Sequence, residues 1–352
     1  MDSNEPEADG FTNSGTEAAP DMNMLKGVMT IVYIFVFFIG TPGNLWIIYK
    51  LVRARLWSSS AAHLTVSQRS RIYICSLACS DLLLLLTLPF TASYNYNGTW
   101  IFGEMMCFTI LTIEIVTKIF SVVLLTVMSL ERYFIVCTRL RNSFQSWMSC
   151  IPLALGTIFC VVAPSVLHFV HITHHQFEVP GMELQITICI LNMDELTFNI
   201  YASYTFIVGF VIPFIIMAFC YIMLVRHVKQ KFKNRKVAVQ MHKSIKEPRY
   251  MSEMRKSIWR IAVFHFICWA PFWTFTMVPH YMQLFRTESD QEMQERPPNW
   301  YVYCRLFANC LPYINAAGNW VLYAVLNSDV RKHIYHQPRK GNKFGFQSLS
   351  TV

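Results

Sequence analysis

Ser129-Leu130-Glu131-Arg132-Tyr133 closes one long apolar segment, and Cys268-Trp269-Ala270-Pro271 stands in the middle of another. A Glu-Arg-Tyr triplet alone carries little information, since any long chain can hold one. Its placement carries more. Arg132 lies 25 residues after Cys107, at the edge of a segment long enough to cross a bilayer as a helix. An acid and a base side by side at a membrane edge form a charged latch that an incoming partner can open.

Working outward from these two stretches, the whole chain reads as a membrane protein. It has 352 residues, 54% hydrophobic and 14% charged, against roughly a quarter charged in soluble domains. Mean hydropathy is +0.34. Apolar segments fall at about 28–49, 72–92, 106–130, 148–170, 200–225, 258–282 and 302–326, each near the ~20 residues that a spanning helix needs. Alternating strands of about ten residues, the mark of a membrane barrel, are absent. The expected fold is all-α, a seven-transmembrane helix bundle, followed by a short amphipathic eighth helix.

Charge orients it. With the amino terminus outside, 25 of the 30 Lys and Arg fall in inner loops and tail, twelve of them between 226 and 260. Excess cytoplasmic Lys and Arg is the usual topological determinant. The net charge of +9 is therefore an address, and no nucleic-acid partner is expected. Fifteen of the 21 acids lie outside, six of them within the first 21 residues. An acidic mouth attracts cationic ligands.

Four regions follow: a disordered extracellular terminus at 1–24, the receptor domain at 25–327, the amphipathic helix at 328–337 and a cytoplasmic tail at 338–352. The first region has no basic start and no apolar core, so no cleavable signal is expected and the first span serves as insertion signal. Asn97-Gly98-Thr99 is a glycosylation sequon in the first outer loop. Of eleven cysteines, eight lie in or at the ends of apolar helices, where Cys acts as a small buried hydrophobe. Cys107 and Cys189 both face the oxidising outside, which predicts a disulfide between them. Cys304 has no evident outer partner. In the second outer loop, Leu184-Gln185-Ile186-Thr187-Ile188-Cys189 alternates after Val179-Pro180-Gly181-Met182. The pattern predicts a hairpin over the mouth, either a lid for peptides or a purely structural cover.

Further motifs stand in order: Asn44 in Thr-Pro-Gly-Asn, Leu77-Ala78-Cys79-Ser80-Asp81, Trp100-Ile101-Phe102-Gly103, Pro213 and Tyr221. Together with the two opening stretches they make the chain, from about 28 to 337, resemble a rhodopsin-like (class A) G-protein-coupled receptor. Pro89, Cys-Trp-x-Pro-Phe in the sixth helix and Tyr313 are most similar to neuropeptide receptors of the somatostatin, opioid and allatostatin type. The chain departs from that pattern at several places. Trp320 stands where the family has proline, which removes a backbone donor and loosens a helix, so a stiffer segment is expected. His265 replaces a phenylalanine that repacks on activation, the fourth-helix tryptophan is missing near Leu155 and Gly156, and the first inner loop is longer around 58–66.

The resemblance implies a ligand site, an ion site and a switch. Asp81, Ser121, Asn315 and Asn319 match the family's sodium pocket. A lone carboxylate in hydrocarbon needs a partner, which a sodium ion, a proton or a water cluster supplies; no other cofactor is expected. Glu114 and Lys118 lie four apart on one helix face. Either Glu114 accepts a ligand's cation, with Tyr313 opposite, or the two residues neutralise each other. Trp269, Phe272, Trp273, Asn309 and Tyr313 are expected to line the pocket, with Trp269 beside Pro271 coupling ligand to helix motion. On the inner face, Arg132 resembles the switch residue held by Glu131 and followed by Tyr133. Tyr221 and Tyr323 would meet near it, and Leu140 matches a contact for a heterotrimeric G protein. Lys229 to Lys236 reads as a lipid-facing basic run or a G-protein contact. Ser350-Thr351-Val352 fits a PDZ ligand.

Other classes fit less well. An opsin needs lysine where Tyr313 stands. A transporter predicts matching broken halves. An enzyme needs a nucleophile or metal cluster, and His171, His174 and His175 lack a partner at ligand spacing. The reading is a multi-pass plasma-membrane receptor for an extracellular ligand, a small basic or amidated neuropeptide, signalling through a G protein of the inhibitory class. The alternatives are a non-signalling decoy and a receptor for a non-peptide amine.

Overall fold

The computed structural model describes residues 22–53, 66–137, 170–179, 182–191, 195–238, 249–284 and 298–326. Long helices α1 (Met22–Arg53), α2 (Val66–Asn97) and α3 (Gly103–Cys137) come first. Strands β1 (Val170–Val179) and β2 (Met182–Leu191) follow. Then come α4 (Glu195–Phe206), a π-helical turn at Ile207–Val211, α5 (Ile212–Ala238), α6 (Arg249–Leu284) and α7 (Asn299–Leu326). The helix α1 begins ahead of the apolar segment read from about 28, and Leu25 and Met29 in its first turns are buried.

Among the described residues, five segments are long and apolar enough to cross a membrane: Asn23–Arg53, Ser70–Asn97, Gly103–Cys137, Leu196–Lys231 and Trp259–Val278. The helix α7 is long enough as well, but Arg305, Asn309, Asn315 and Asn319 dilute its apolar character. Outward faces carry Phe35, Phe38, Ile215, Phe219 and Ile267, all exposed as a lipid-facing surface requires. The expected fourth span, Leu140, the 328–337 helix and the Ser350-Thr351-Val352 terminus lie outside the described residues. So do Asp194 and the side chains of Glu178, Glu183, Glu195, His171, His174 and His175.

The π turn answers to Pro213. Proline lacks an N–H and its ring crowds the carbonyl four residues back. Here the backbone underwinds and widens just before it, and Ile212 N–H bonds to the Ile207 carbonyl five residues away.

Two buried clusters fill the bundle. An inner one joins Ile47, Ile74, Leu77, Leu124, Ile261 and Tyr323, and an outer one joins Tyr33, Leu85, Leu88, Cys310 and Tyr313. The α1–α7 seam is close. A Cβ on Gly40 would fall 2.7 Å from Ala317 Cβ, so only glycine lets these backbones approach. Asn44 Nδ2 then donates to the Gly40 carbonyl at 3.0 Å and to the Ala316 carbonyl at 3.1 Å, tying the two helices.

The outer cover is a two-stranded antiparallel sheet with Cys189 opposite Ile172 and Val179 opposite Met182. The disulfide Cys107–Cys189 forms, with Cα atoms 5.8 Å apart, and fixes β2 to the start of α3. Trp100 N–H donates to the Thr187 carbonyl at 2.8 Å, and Thr187 N–H donates to Thr99 Oγ1 at 3.1 Å. Trp100 itself is buried against Cys107 and Ile110, with Tyr94 and Phe102 around it. The expected hairpin is therefore present and pinned.

Candidate functional site

Glu114 stands two turns below Cys107 on α3, with its side chain 15% exposed. Three donors reach its carboxylate. Tyr313 Oη of α7 donates to Oε1 at 2.8 Å, Lys118 Nζ donates to Oε2 at 3.2 Å, and Thr91 Oγ1 of α2 shares its one proton between the Thr87 carbonyl at 3.2 Å and Oε1 at 3.4 Å. The pair with Lys118 follows from helical spacing, since residues four apart share a face. Lys118 Nζ also sits 5.6 Å from the Tyr313 ring centre and 5.8 Å from that of Phe272, within cation–π range. Tyr33 of α1 meets Tyr313 edge-on at 5.7 Å.

The structure thus brings Glu114, Lys118, Phe272 and Tyr313 together. Trp269 touches this group through Phe272, edge-on at 5.6 Å, and stacks on His265 at 5.4 Å. Trp273 meets Phe272 edge-on but also turns toward Phe206 and Phe210 of α4 and the π turn, at 5.5 and 6.4 Å. It therefore belongs as much to the aromatic seam between α6 and the π turn as to the pocket. Asn309 is half-buried one helical turn outward of Tyr313. Thr91 and Tyr33 did not emerge from the sequence. A threonine in an apolar run marks nothing by itself, though its place two residues after Pro89 was a usable signal.

Below this group lies a polar centre. Asn319 Nδ2 donates to Asp81 Oδ2 at 3.0 Å. Ser80 Oγ reaches the Thr117 carbonyl and Ser121 Oγ, each at 3.2 Å. Asp81, Ser121, Asn315 and Asn319 are all buried, as is Asn44. The Oδ1 atoms of Asn44 and Asn319 have no hydrogen-bond partner among the described residues. Buried acceptors without donors beside a buried carboxylate suit a hard cation with oxygen ligands. The residues present fit a sodium ion.

At the inner end, Glu131 and Arg132 are both buried, and an Arg132 guanidinium nitrogen donates to Ser70 Oγ at the start of α2. Tyr133 lies against Phe219 of α5. Arg132, Ser129, Tyr221, Leu224 and Trp259 line a crevice between α3, α5 and α6. Tyr221 lies flat on Trp259, ring centres 4.1 Å apart and planes 17° from parallel. Tyr323 is fully buried in the inner core, its hydroxyl unpaired among the described residues. Pro271 lies within α6, two residues after Trp269, and leaves the Ile267 carbonyl without its helical donor.

Comparison with known proteins agrees with this arrangement. Residues 43–323 match the family described as 7 transmembrane receptor (rhodopsin family). A probable G-protein coupled receptor of Caenorhabditis elegans is 30% identical over 87% of this chain and 67% of its own length. Neuropeptide receptor 18 of the same organism is 27% identical over 84% of this chain and 63% of its own length. Mouse somatostatin receptor type 2 is 25% identical over 92% of this chain and 80% of its own. The chain thus spans about two thirds of the length of the first two. The ordered motifs, the five described apolar spans, the pinned hairpin and a family match over four fifths of the sequence agree: this chain is a multi-pass membrane protein that belongs to the rhodopsin family of seven-transmembrane receptors.

Proposed function

We propose that the chain is a plasma-membrane receptor, amino terminus outside, that binds an extracellular peptide and signals through a heterotrimeric G protein. The observation that carries this is the Glu114 carboxylate, held across the bundle by Tyr313 two turns below the Cys107–Cys189 disulfide. It is the acidic group through which a basic ligand would be read. Relatives named neuropeptide receptor 18 and somatostatin receptor type 2 support the peptide class.

Ligand entry on the outside would act on the aromatic group around Trp269, and Pro271 gives α6 a place to bend. Bending there would move Trp259 off Tyr221 and open the crevice beside Arg132 to the G protein. A sodium ion at Asp81, Ser121, Asn315 and Asn319 would supply charge balance to the buried carboxylate and hold the resting arrangement. Asn97, exposed at the end of α2, is the site proposed for glycosylation.

The test is G-protein activation in cells expressing the parent chain or Glu114→Gln, challenged with basic and neutral peptides. A basic peptide that activates only the parent supports the reading. Equal responses would show that Glu114 is structural and that the ligand is read elsewhere. One observation favours a decoy as the second reading: Trp320 is wedged against Gly43 where the resemblance leads one to expect proline. Peptide binding without G-protein activation would select it.

A further inference from the structure

Glu114 is held by partners within the bundle, and the inference that follows rests on the peptide-receptor reading above. Its carboxylate already accepts from Tyr313, Thr91 and Lys118. Lys118 in turn lies over the Phe272 and Tyr313 rings, with only a fifth of its side chain exposed. A ligand bringing only a cation has to push Lys118 aside. That leaves an ammonium over two aromatic rings with no counter-ion, which lowers affinity by about a hundredfold, the lower end of what uncovering a buried ion costs. A neutral ligand avoids this loss but gains nothing from either charge. A ligand carrying a carboxylate beside its base avoids it too and gains from both. Its base replaces Lys118 at Glu114, its carboxylate replaces Glu114 at Lys118, and the four charges alternate in sign.

We propose that the pocket takes a ligand whose basic group and carboxylate lie within one residue of each other, with Lys118 as the contact for that carboxylate. Two peptide chemistries supply it: a basic residue ending in a free acid, and an acidic residue next to a basic one. A peptide that is basic and amidated throughout offers Lys118 no charge, which narrows the ligand class expected from the sequence. Lys118 is thus a specificity residue and the reason that simple amines are poor ligands here.

The experiment uses short synthetic peptides ending in Arg or Lys, in three forms: free acid, amide, and amide with Asp preceding the base. Each is tested for G-protein activation on the full-length parent and on Lys118→Met, with surface amount measured for both; Lys118→Gln replaces Lys118→Met if the latter fails to reach the surface. On the parent, the free acid or the Asp-containing amide should act about a hundredfold more potently than the plain amide. The stronger of those two identifies the source of the carboxylate. On Lys118→Met the plain amide should come within about threefold of them. A plain amide as potent as the acid forms on the parent overturns the proposal and leaves the basic-peptide reading standing. An unchanged gap in Lys118→Met also overturns it, because the carboxylate is then read elsewhere. Silence toward every form in both receptors, with both at the surface, overturns the peptide reading and the proposal with it.

Discussion

Replacing Gly43 by alanine tests whether Trp320 is a packed wedge or an incidental departure from proline. A Cβ at position 43 would fall 2.3 Å from Nε1 and 2.4 Å from Cδ1 and Cδ2 of the Trp320 indole. The far side of that ring cannot simply swing away, since Trp46 meets it edge-on at 6.5 Å and both rings pack against the inner core. Forcing a methyl into such a contact costs about 1–3 kcal/mol. Trp320→Ala alone should cost roughly 3 kcal/mol, the low end for a large aromatic because the ring is only half-buried. With the indole gone, the added methyl meets open space, and alanine is favoured over glycine inside a helix by up to about 1 kcal/mol. Gly43→Ala should then be neutral or slightly stabilising. The coupling between the two positions is therefore expected to exceed about 1 kcal/mol. Thermal unfolding of detergent-solubilised parent, both single variants and the double variant gives the cycle directly. Equal loss from Gly43→Ala in both backgrounds would refute the wedge.

Three further outcomes are expected. The solubilised receptor should be more stable in sodium than in choline at equal ionic strength, by about 1.4 kcal/mol when sodium is ten times its dissociation constant; Asp81→Asn should abolish the difference, and a difference that survives would place the ion elsewhere. Trp259→Ala removes the face on which Tyr221 lies, worth about 0.5–1.5 kcal/mol, and should raise ligand-free G-protein activation about two- to tenfold; an unchanged basal level would mean the stack does not hold the crevice shut. Phe272→Leu removes the ring under Lys118 and the edge against Trp269, so maximal activation should fall while ligand affinity changes less than about threefold; a parallel loss of both would make Phe272 a simple contact residue.

What the sequence revealed depended on distance along the chain. The Glu114–Lys118 pair was readable because helical periodicity brings residues four apart together whatever the tertiary fold. The Cys107–Cys189 link was readable because both positions fall on one side of the membrane. Helices α1 to α3, α4 with α5, α6 and α7 all appeared from apolar length, α7 most weakly, since Arg305 and its asparagines dilute the hydropathy signal. Contacts that depend on which faces meet across helices were not readable. Ser70 lies 62 residues from Arg132, and nothing in its type marks it as the receiver of the guanidinium. Trp320 stood out as a departure, but Gly43, which makes room for it, did not. The choice between a self-neutralised Glu114 and a ligand-ready one also stayed open, because it turns on Tyr313 and Thr91 arriving from α7 and α2. In the structure the pair is formed, and both helices contribute donors to it.

Two routes lead inward from Lys118, and they differ physically. Along α3, Ser121 lies three residues on, about 4.5 Å along the axis, and Arg132 lies eleven residues further, about 16 Å. That stretch is continuous helix, fastened to α2 where Ser80 holds the Thr117 carbonyl and the Ser121 hydroxyl. A continuous helix so fastened offers no break at which to bend, and packed interiors switch between discrete states instead of deforming smoothly. The other route crosses to α6. Lys118 lies over Phe272, Phe272 meets Trp269, and Trp269 stacks on buried His265. Pro271 lies in the same stretch of α6, where one helical hydrogen bond is already missing. At the inner end, α6 meets α5 through the stack of Trp259 on Tyr221 above the Arg132 crevice. A ligand that draws Lys118 off the Phe272 ring changes the load on an element with both a hinge and a separable inner contact. The α3 route sets where the ligand is held; the α6 route is where its binding energy can become motion.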